Sequence, residues 1–300
     1  MKKYGVIDLG TNTFHLLIAT PNDDGSFKEI YRERRFIQLA ENGIQRIGAA
    51  PFKRGLNAMK DYAQKLKEHQ IEAINAIGTA ALRTAENGQA FIEKVRLETG
   101  IHIQLISGSE EARLIHRGVL RAVPFTEERR MIMDIGGGSV EFIIANQEEV
   151  LWAQSFPIGV AVLFNQFQRN DPLTEEDRKA LLSFLQGQLT PLERALEQFP
   201  TSFLVGASGT FDVLENLLEV SKRSDYYVTI PIERFFPFYE QMLATPLEER
   251  LKIEGIPAAR AEMLIVALVL IDYVVHVANI QHVIVSAFAM KEGILSEMIA

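Results

Sequence analysis

Three hundred residues, 47% hydrophobic and 23% charged, give the composition of a soluble globular chain long enough for two domains, each with its own core. A net charge of −8 excludes a general nucleic-acid-binding surface, and the absence of cysteine excludes disulfides, thiolate catalysis and zinc–thiolate sites. The chain enters a β-rich run with no signal-peptide core, and its most apolar stretch, Met263 to Val275, is interrupted by Asp272 and too short to span a bilayer. No membrane association and a cytoplasmic location are therefore expected, with that stretch a buried helix.

The first element, Tyr4 to Ile18, reads YGVIDLGTNTFHLLI: two β-rich runs around Asp8-Leu9-Gly10-Thr11-Asn12-Thr13. This spacing predicts a hairpin whose tip carries an Asp-x-Gly turn with hydroxyl residues. Pro21 to Ser26 is a turn, and Phe27 to Leu39 is a third, heavily charged strand. Its Arg34 and Arg35 read first as a solvated edge blunted by charge, ahead of ligand binding. Glu41 to Pro51 is a loop over the site, Phe52 to Gln70 an amphipathic helix, and Ile71 to Ile77 a buried strand.

Gly78 to Asn87 follows that strand's carboxyl end, where α/β folds place ligand contacts, and holds Arg83. Two readings of Arg83 stand side by side: a surface arginine at a helix start, or a fork that holds a phosphoryl group. A helix over Gly88 to Thr99 and a strand over His102 to Ile106 come next. Ser107-Gly108-Ser109-Glu110-Glu111-Ala112-Arg113 opens a helix running towards Ala122, with Ser109 as the expected N-cap. Adjacent glutamates point in different directions on a helix, so one serves the helix end while the other faces the cleft.

Pro124 to Arg130 is the expected boundary, dividing the chain into domains 1–124 and 125–300. Met131 to Ile144, MIMDIGGGSVEFII, repeats the first hairpin's pattern around Asp134-Ile135-Gly136-Gly137-Gly138-Ser139. Three glycines are expected to permit positive φ and close approach, and bare amides with the Ser139 hydroxyl make an anion site. Asp134 and Glu141 bring carboxylates suited to hydrated Mg²⁺. Two such turns, each heading about half the chain, point to a duplicated fold with facing phosphate turns; neither is a P-loop. Further on, Ser155 to Gly159 ends a strand in a Pro-Ile-Gly turn, and Leu173 to Phe199 is a helix capped by Thr174. Phe203 to Val205 leads into Gly206-Ala207-Ser208-Gly209-Thr210, a third glycine-rich turn opening a helix.

The two turns, Ala81-Leu82-Arg83 and Ser107 to Arg113 together resemble the exopolyphosphatase/guanosine pentaphosphate phosphohydrolase (Ppx/GppA) family in order and spacing. The resemblance implies an α/β fold of two actin-like (ribonuclease H-like, ASKHA) domains with an inter-domain active-site cleft, the last helix packing back on the first domain. It implies Glu111 as catalytic base, with Glu141 the next candidate, and Arg83 as a phosphate-binding arginine. Gly10, Thr11, Asn12, Thr13, Gly136, Gly137, Gly138, Ser139, Gly209 and Thr210 would bind substrate phosphate. Asp134, Glu141 and Asp8 would hold Mg²⁺.

Ser286 to Gly293 is similar to a family segment that carries Leu-Arg-Glu-Gly; here Met290 and Lys291 replace Leu and Arg, so the planar fork is lost. The implied activity is hydrolysis of terminal phosphoanhydride bonds in inorganic polyphosphate or a nucleotide polyphosphate such as guanosine pentaphosphate, and a homodimer is compatible with it. The sequence ends at Ala300 without the large helical region of longer members, so a distributive enzyme favouring short substrates is expected. Alternative readings are an actin-like ATP-binding or assembly module and a small-molecule kinase of the same superfamily.

Overall fold

The computed structural model describes residues 2–218 and 220–300. Its first half runs β1 (Tyr4–Leu9), β2 (Thr13–Pro21), β3 (Phe27–Phe36), α1 (Ala49–Glu68), β4 (Ala73–Gly78), α2 (Ala80–Thr84), α3 (Gly88–Thr99), β5 (Ile103–Leu105) and α4 (Gly108–Ala122). The second half begins with β6 (Arg130–Ile135), β7 (Val140–Ala145), β8 (Val150–Phe156), α5 (Val160–Phe167), α6 (Glu175–Gln198), β9 (Phe203–Ala207) and α7 (Gly209–Leu217). It continues with β10 (Lys222–Arg223), β11 (Tyr227–Pro231), α8 (Ile232–Ala244), α9 (Leu247–Arg250), α10 (Ala258–Ala261), α11 (Leu264–Val277), β12 (His282–Ser286) and α12 (Met290–Ile299).

The duplication is visible in the strand order. One sheet is ordered β3-β2-β1-β4-β5; the other, β10-β11-β12-β9-β6-β7-β8, contains the same path as β8-β7-β6-β9-β12. In each, an antiparallel meander supplies three strands and two further strands add in parallel. Even the irregularity repeats: register slips between Ile18 and Ala19 on β2, and between Ile144 and Ala145 at the matching place on β7. The central strands β6 and β7 are buried along their whole length, which is why they read as nearly continuous apolar runs.

Each half has a private core. Met59, Tyr62 and Phe91 of α1 and α3 cover one face of the first sheet, and α6, α8 and the wholly apolar side of α11 cover one face of the second. A third core is shared: Val6, Leu17 and Ile77 of the first sheet join Ile132, Ile143, Val205 and Ile284 of the second through α4 and α12. The expectation of two self-contained cores thus gives way to two cores and a joint one, because each sheet has a second apolar face to cover.

α4 and α12 follow the topologically matching strands β5 and β12, and they cross at glycine. A Cβ on Gly118 would lie 1.9 Å from the Ala289 carbonyl, and one on Gly293 would lie 1.9 Å from the Leu114 carbonyl. This reciprocal contact brings the helix backbones together and sets the two sheets face to face around the cleft.

Candidate active site

Both hairpin tips are built the same way. Gly10 N–H donates to the Thr13 carbonyl at 3.1 Å, and Gly136 N–H donates to the Ser139 carbonyl at 3.0 Å. A Cβ on either glycine would come within 2.9 Å of that carbonyl. Positive φ is not the reason for glycine here: among the described residues the positive-φ glycines are Gly25, Gly43, Gly100 and Gly255, outside both turns. Space is the reason. A Cβ on Gly137 would meet the Asn12 amide at 2.7 Å, and one on Gly138 would meet Thr11 Oγ1 at 2.7 Å, so the two turns face and nearly touch each other.

Neighbouring elements hold the turns in place. Thr11 Oγ1 accepts from Ala81 N–H at 3.2 Å, which ties the first turn to α2. The Pro-Ile-Gly turn brings the start of α5 under the second: Val160 and Ala161 N–H donate to the Gly136 and Gly137 carbonyls at 3.0 and 2.9 Å. Asn12 Oδ1 is buried and lacks a protein partner. The third glycine-rich turn enters α7 through Ser208, at φ 66°, whose hydroxyl donates to the Ile135 carbonyl at 3.1 Å. It brings Gly209 and Thr210 to the same cleft, a cavity of about 280 Å³.

Five carboxylates line this cavity: Asp8, Glu111, Asp134, Glu141 and Asp212. Strand register accounts for two of them, since Asp134 stands directly across from Glu141, just as Asp8 stands across from His15. Burial pushes the Asp8 and Glu141 carboxyls up to about 7, and Asp134 further raises both. Asp134 is itself raised by burial, with the neighbouring Ser208 side chain and the Lys291 charge opposing it. Ser155 Oγ donates to Glu141 Oε1 at 2.6 Å. Burial holds Glu111 well above the ordinary carboxylate range, with repulsion from Glu141 adding to it and Arg83 opposing it.

Glu111 reaches the cleft because of how α4 starts. Ser107, and not Ser109, is the N-cap, its Oγ accepting from Glu110 N–H at 3.2 Å, while Ser109 bonds to Ser107. The helix therefore begins two residues earlier than expected. Glu110 lies on the exposed side paired with Arg113, and Glu111 is buried with Oε2 lacking a hydrogen-bond partner. Arg83 Nη1 donates to the Ile106 carbonyl at 2.6 Å and lies 3.5 Å from Glu111 Oε2. Arg83 does not line the main cavity. It opens onto a second one, which shares Ala80, Gly138 and Ser139 with the first.

Cations line the rest of the cleft. Arg32 and Arg34, two apart on β3, project into it together with Arg260 and Lys291. β3 is indeed an edge strand, but only one of its faces is blunted by charge in the expected way: Arg35 turns outwards to Glu33 and Asp61. Buried Glu292 lies 3.2 Å from both Arg32 and Lys291 and accepts from Ala289 N–H at 2.8 Å, which orients the two cations. Asp212 stands 3.4 Å from Arg34 and 3.6 Å from Arg260. The Arg260 guanidinium fills the space over Gly209, and burial lowers its pKa to about 10, which leaves it charged at neutral pH. Burial and nearby cations hold His15 well below its ordinary value, so it is neutral.

Arg32 and Arg260 were not legible as site residues. The signal for Arg32 and Arg34 is the period-2 alternation of β3, which puts both on one face. Arg260 lies in a segment of short helices with no strong period of its own. Among the described residues, no group of three or more His, Asp or Glu side chains gathers closely enough to enclose a metal ion. Mg²⁺ does not require such a cage, since it takes one or two carboxylates and fills its octahedron with waters and phosphate oxygens. Buried carboxylates with raised pKa values beside phosphate-type turns fit that mode.

A duplicated α/β fold with paired glycine turns facing across a cleft defines an actin-like protein of two domains. The chain belongs to the Ppx/GppA phosphatase family, whose profile matches residues 18–300. It is 36% identical to an exopolyphosphatase from Cytophaga hutchinsonii ATCC 33406, with a TM-score of 0.93 and coverage of 99% of this chain and 98% of that one. An Aquifex aeolicus member of the Ppx/GppA family shares the fold at 24% identity and a TM-score of 0.82, over 99% and 97% of the two chains. Guanosine-5'-triphosphate,3'-diphosphate pyrophosphatases from Photobacterium profundum and Vibrio vulnificus are 29% and 30% identical over 99% of this chain. The chain spans 59% of the length of each of these two relatives.

Proposed function

We propose that this protein hydrolyses the terminal phosphoanhydride bond of inorganic polyphosphate or of a nucleotide polyphosphate such as guanosine pentaphosphate, with Mg²⁺ as cofactor. The observation that carries the reading is the buried Glu111 carboxylate, set beside two facing glycine turns in a cleft edged by four cations. Family membership supports the reaction class, and the relatives' names support the two substrate classes.

In this reading the amides of Gly10 to Thr13 and Gly136 to Ser139 hold the terminal phosphoryl group. Fixed dipoles of this kind stabilise the charge that builds on its oxygens during transfer. Arg32, Arg34, Arg260 and Lys291 bind the phosphates behind it, and Gly209 and Thr210 border the same run. Asp134 and Glu141, with Asp8, would hold Mg²⁺, which supplies charge neutralisation at the phosphoryl oxygens. Glu111 takes a proton from water as the water oxygen bonds to phosphorus. The bridging P–O bond breaks, and its electron pair stays on the shortened chain. Arg83 offsets the charge of Glu111 and borders the path of the water.

Phosphate release measured with and without Mg²⁺ on tripolyphosphate, long polyphosphate, guanosine pentaphosphate and ATP tests this reading. Mg²⁺-dependent release from any of the first three supports it. Turnover of ATP alone favours the nucleotide-gated assembly reading, and phosphate transfer to an added acceptor without release favours a kinase.

A further inference from the structure

The second cavity, about 690 Å³, differs from the substrate cleft in chemistry. Among the described residues that line it, Arg83 is the single cation and there is no carboxylate; the other polar groups are Gln45, Thr84, Gln154 and the hydroxyls of Ser107, Ser109, Ser139 and Ser155. The substrate cleft instead carries four cations beside five carboxylates. One cation among uncharged polar groups matches a single small anion. A polyanionic chain would find its counter-charges on the other side.

The two cavities meet at Ala80, Gly138 and Ser139, the place where the second phosphate turn faces the first. Packing at the turn itself is close, since a Cβ on Gly138 would meet Thr11, Ala80 and Ile44 within 2.8 Å. A Cβ on Gly108, at the start of α4, would likewise meet the Ser155 side chain at 2.5 Å. Glu111 belongs to the same first turn of α4 whose Ser107, Gly108 and Ser109 line the second cavity, and its ion-pair partner Arg83 lines it too.

We propose that the second cavity is the entry for the attacking water and the exit for inorganic phosphate, separate from the cleft that holds the rest of the substrate. The proposal rests on the phosphohydrolase reading above. In-line displacement puts the water on the face of phosphorus opposite the bridging oxygen. With the leaving chain held among Arg32, Arg34, Arg260 and Lys291, that opposite face is the Glu111–Arg83 side. As the water's oxygen bonds to phosphorus and the bridging bond breaks, the phosphoryl group inverts away from the leaving chain. The phosphate so formed, its proton passed to Glu111, stands at the mouth of the second cavity. Arg83 guides it out while the shortened product still occupies the cleft.

Product inhibition tests this. The substrate is the phosphoanhydride that the unaltered protein turns over fastest, followed through its shortened product with inorganic phosphate added. Phosphate that leaves first, from its own cavity, gives mixed inhibition that lowers the apparent kcat. Ala153 is exposed on the edge strand β8 at the rim of the second cavity, which makes it a site for charge changes outside the cleft. Ala153→Arg should tighten the phosphate inhibition constant about three- to ten-fold and Ala153→Glu should weaken it similarly, by the ordinary strength of one nearby partly exposed charge. The substrate KM should stay within about two-fold, and unfolding temperatures report that both variants fold.

Purely competitive inhibition, the same in all three proteins, would overturn the proposal by placing phosphate in the substrate cleft. A KM that follows the charge at position 153 while the phosphate constant stays fixed would overturn it too, because the cavity would then admit substrate. Absence of any turnover by the unaltered protein would instead remove the phosphohydrolase reading, and this proposal with it.

Discussion

A carboxylate as buried as Glu111, and crowded by Glu141, holds its proton to higher pH than a free glutamate does even with the Arg83 charge opposing it. A general base must be ionised to work, so kcat/KM should go on rising with pH in the range where a free glutamate is already fully ionised. A flat profile over that range would show that the ionisation of Glu111 does not limit the rate. Glu111 was legible because two adjacent glutamates at a helix start cannot share one role. Arg34 was not, because a charged edge strand looks the same whether its arginines meet water or a cleft. Removing its guanidinium in Arg34→Ala should raise KM about ten-fold or more and leave kcat within a few-fold, if it binds phosphates remote from the reacting atom. A fall in kcat at constant KM would move Arg34 to the reacting phosphoryl group.

At the scale of elements, the strands and both turns could be read directly, since β-branched runs around Asp-x-Gly leave few other shapes. The crossing of α4 and α12 could not: Gly118 and Gly293 lie 175 positions apart, and neither carries a local signal that it faces the other. Their contact predicts an asymmetry between helical glycines. Gly118→Val has to displace the Ala289 backbone and should destabilise the protein by about 3 kcal/mol, lowering the unfolding temperature by about 6–10 °C. Gly187 lies inside α6 with open space around its Cα, and Gly187→Ala should be neutral or stabilise by up to about 1 kcal/mol. Thermal unfolding of the two variants compares them directly. Equal, small effects would mean that the helix crossing has room to relax.

For the whole molecule, the carboxylates gathered by the two sheets link folding to pH. The folded Asp8 and Glu141 carboxyls titrate near 7, above their unfolded values, so the folded state binds protons more tightly. Their contribution is therefore full below about pH 4 and is lost as pH rises from there to about 7, by up to roughly 4 kcal/mol for Asp8 alone. A divalent cation held among these groups would replace the protons. Mg²⁺ should accordingly raise the unfolding temperature by several degrees at pH 8 and by much less at pH 6. An equal Mg²⁺ effect at both values would place the ion elsewhere.

The most direct test of a Glu111-activated water in this cleft is phosphate release by Glu111→Gln, which keeps the side chain's size and removes its basicity. On the best substrate of the unaltered protein, kcat should fall about 10²–10⁴-fold, with substrate affinity, measured separately by titration, within a few-fold of the original. A Glu111→Gln protein that turns over within a few-fold of the unaltered one would contradict the assignment and leave Glu141 as the carboxylate to examine.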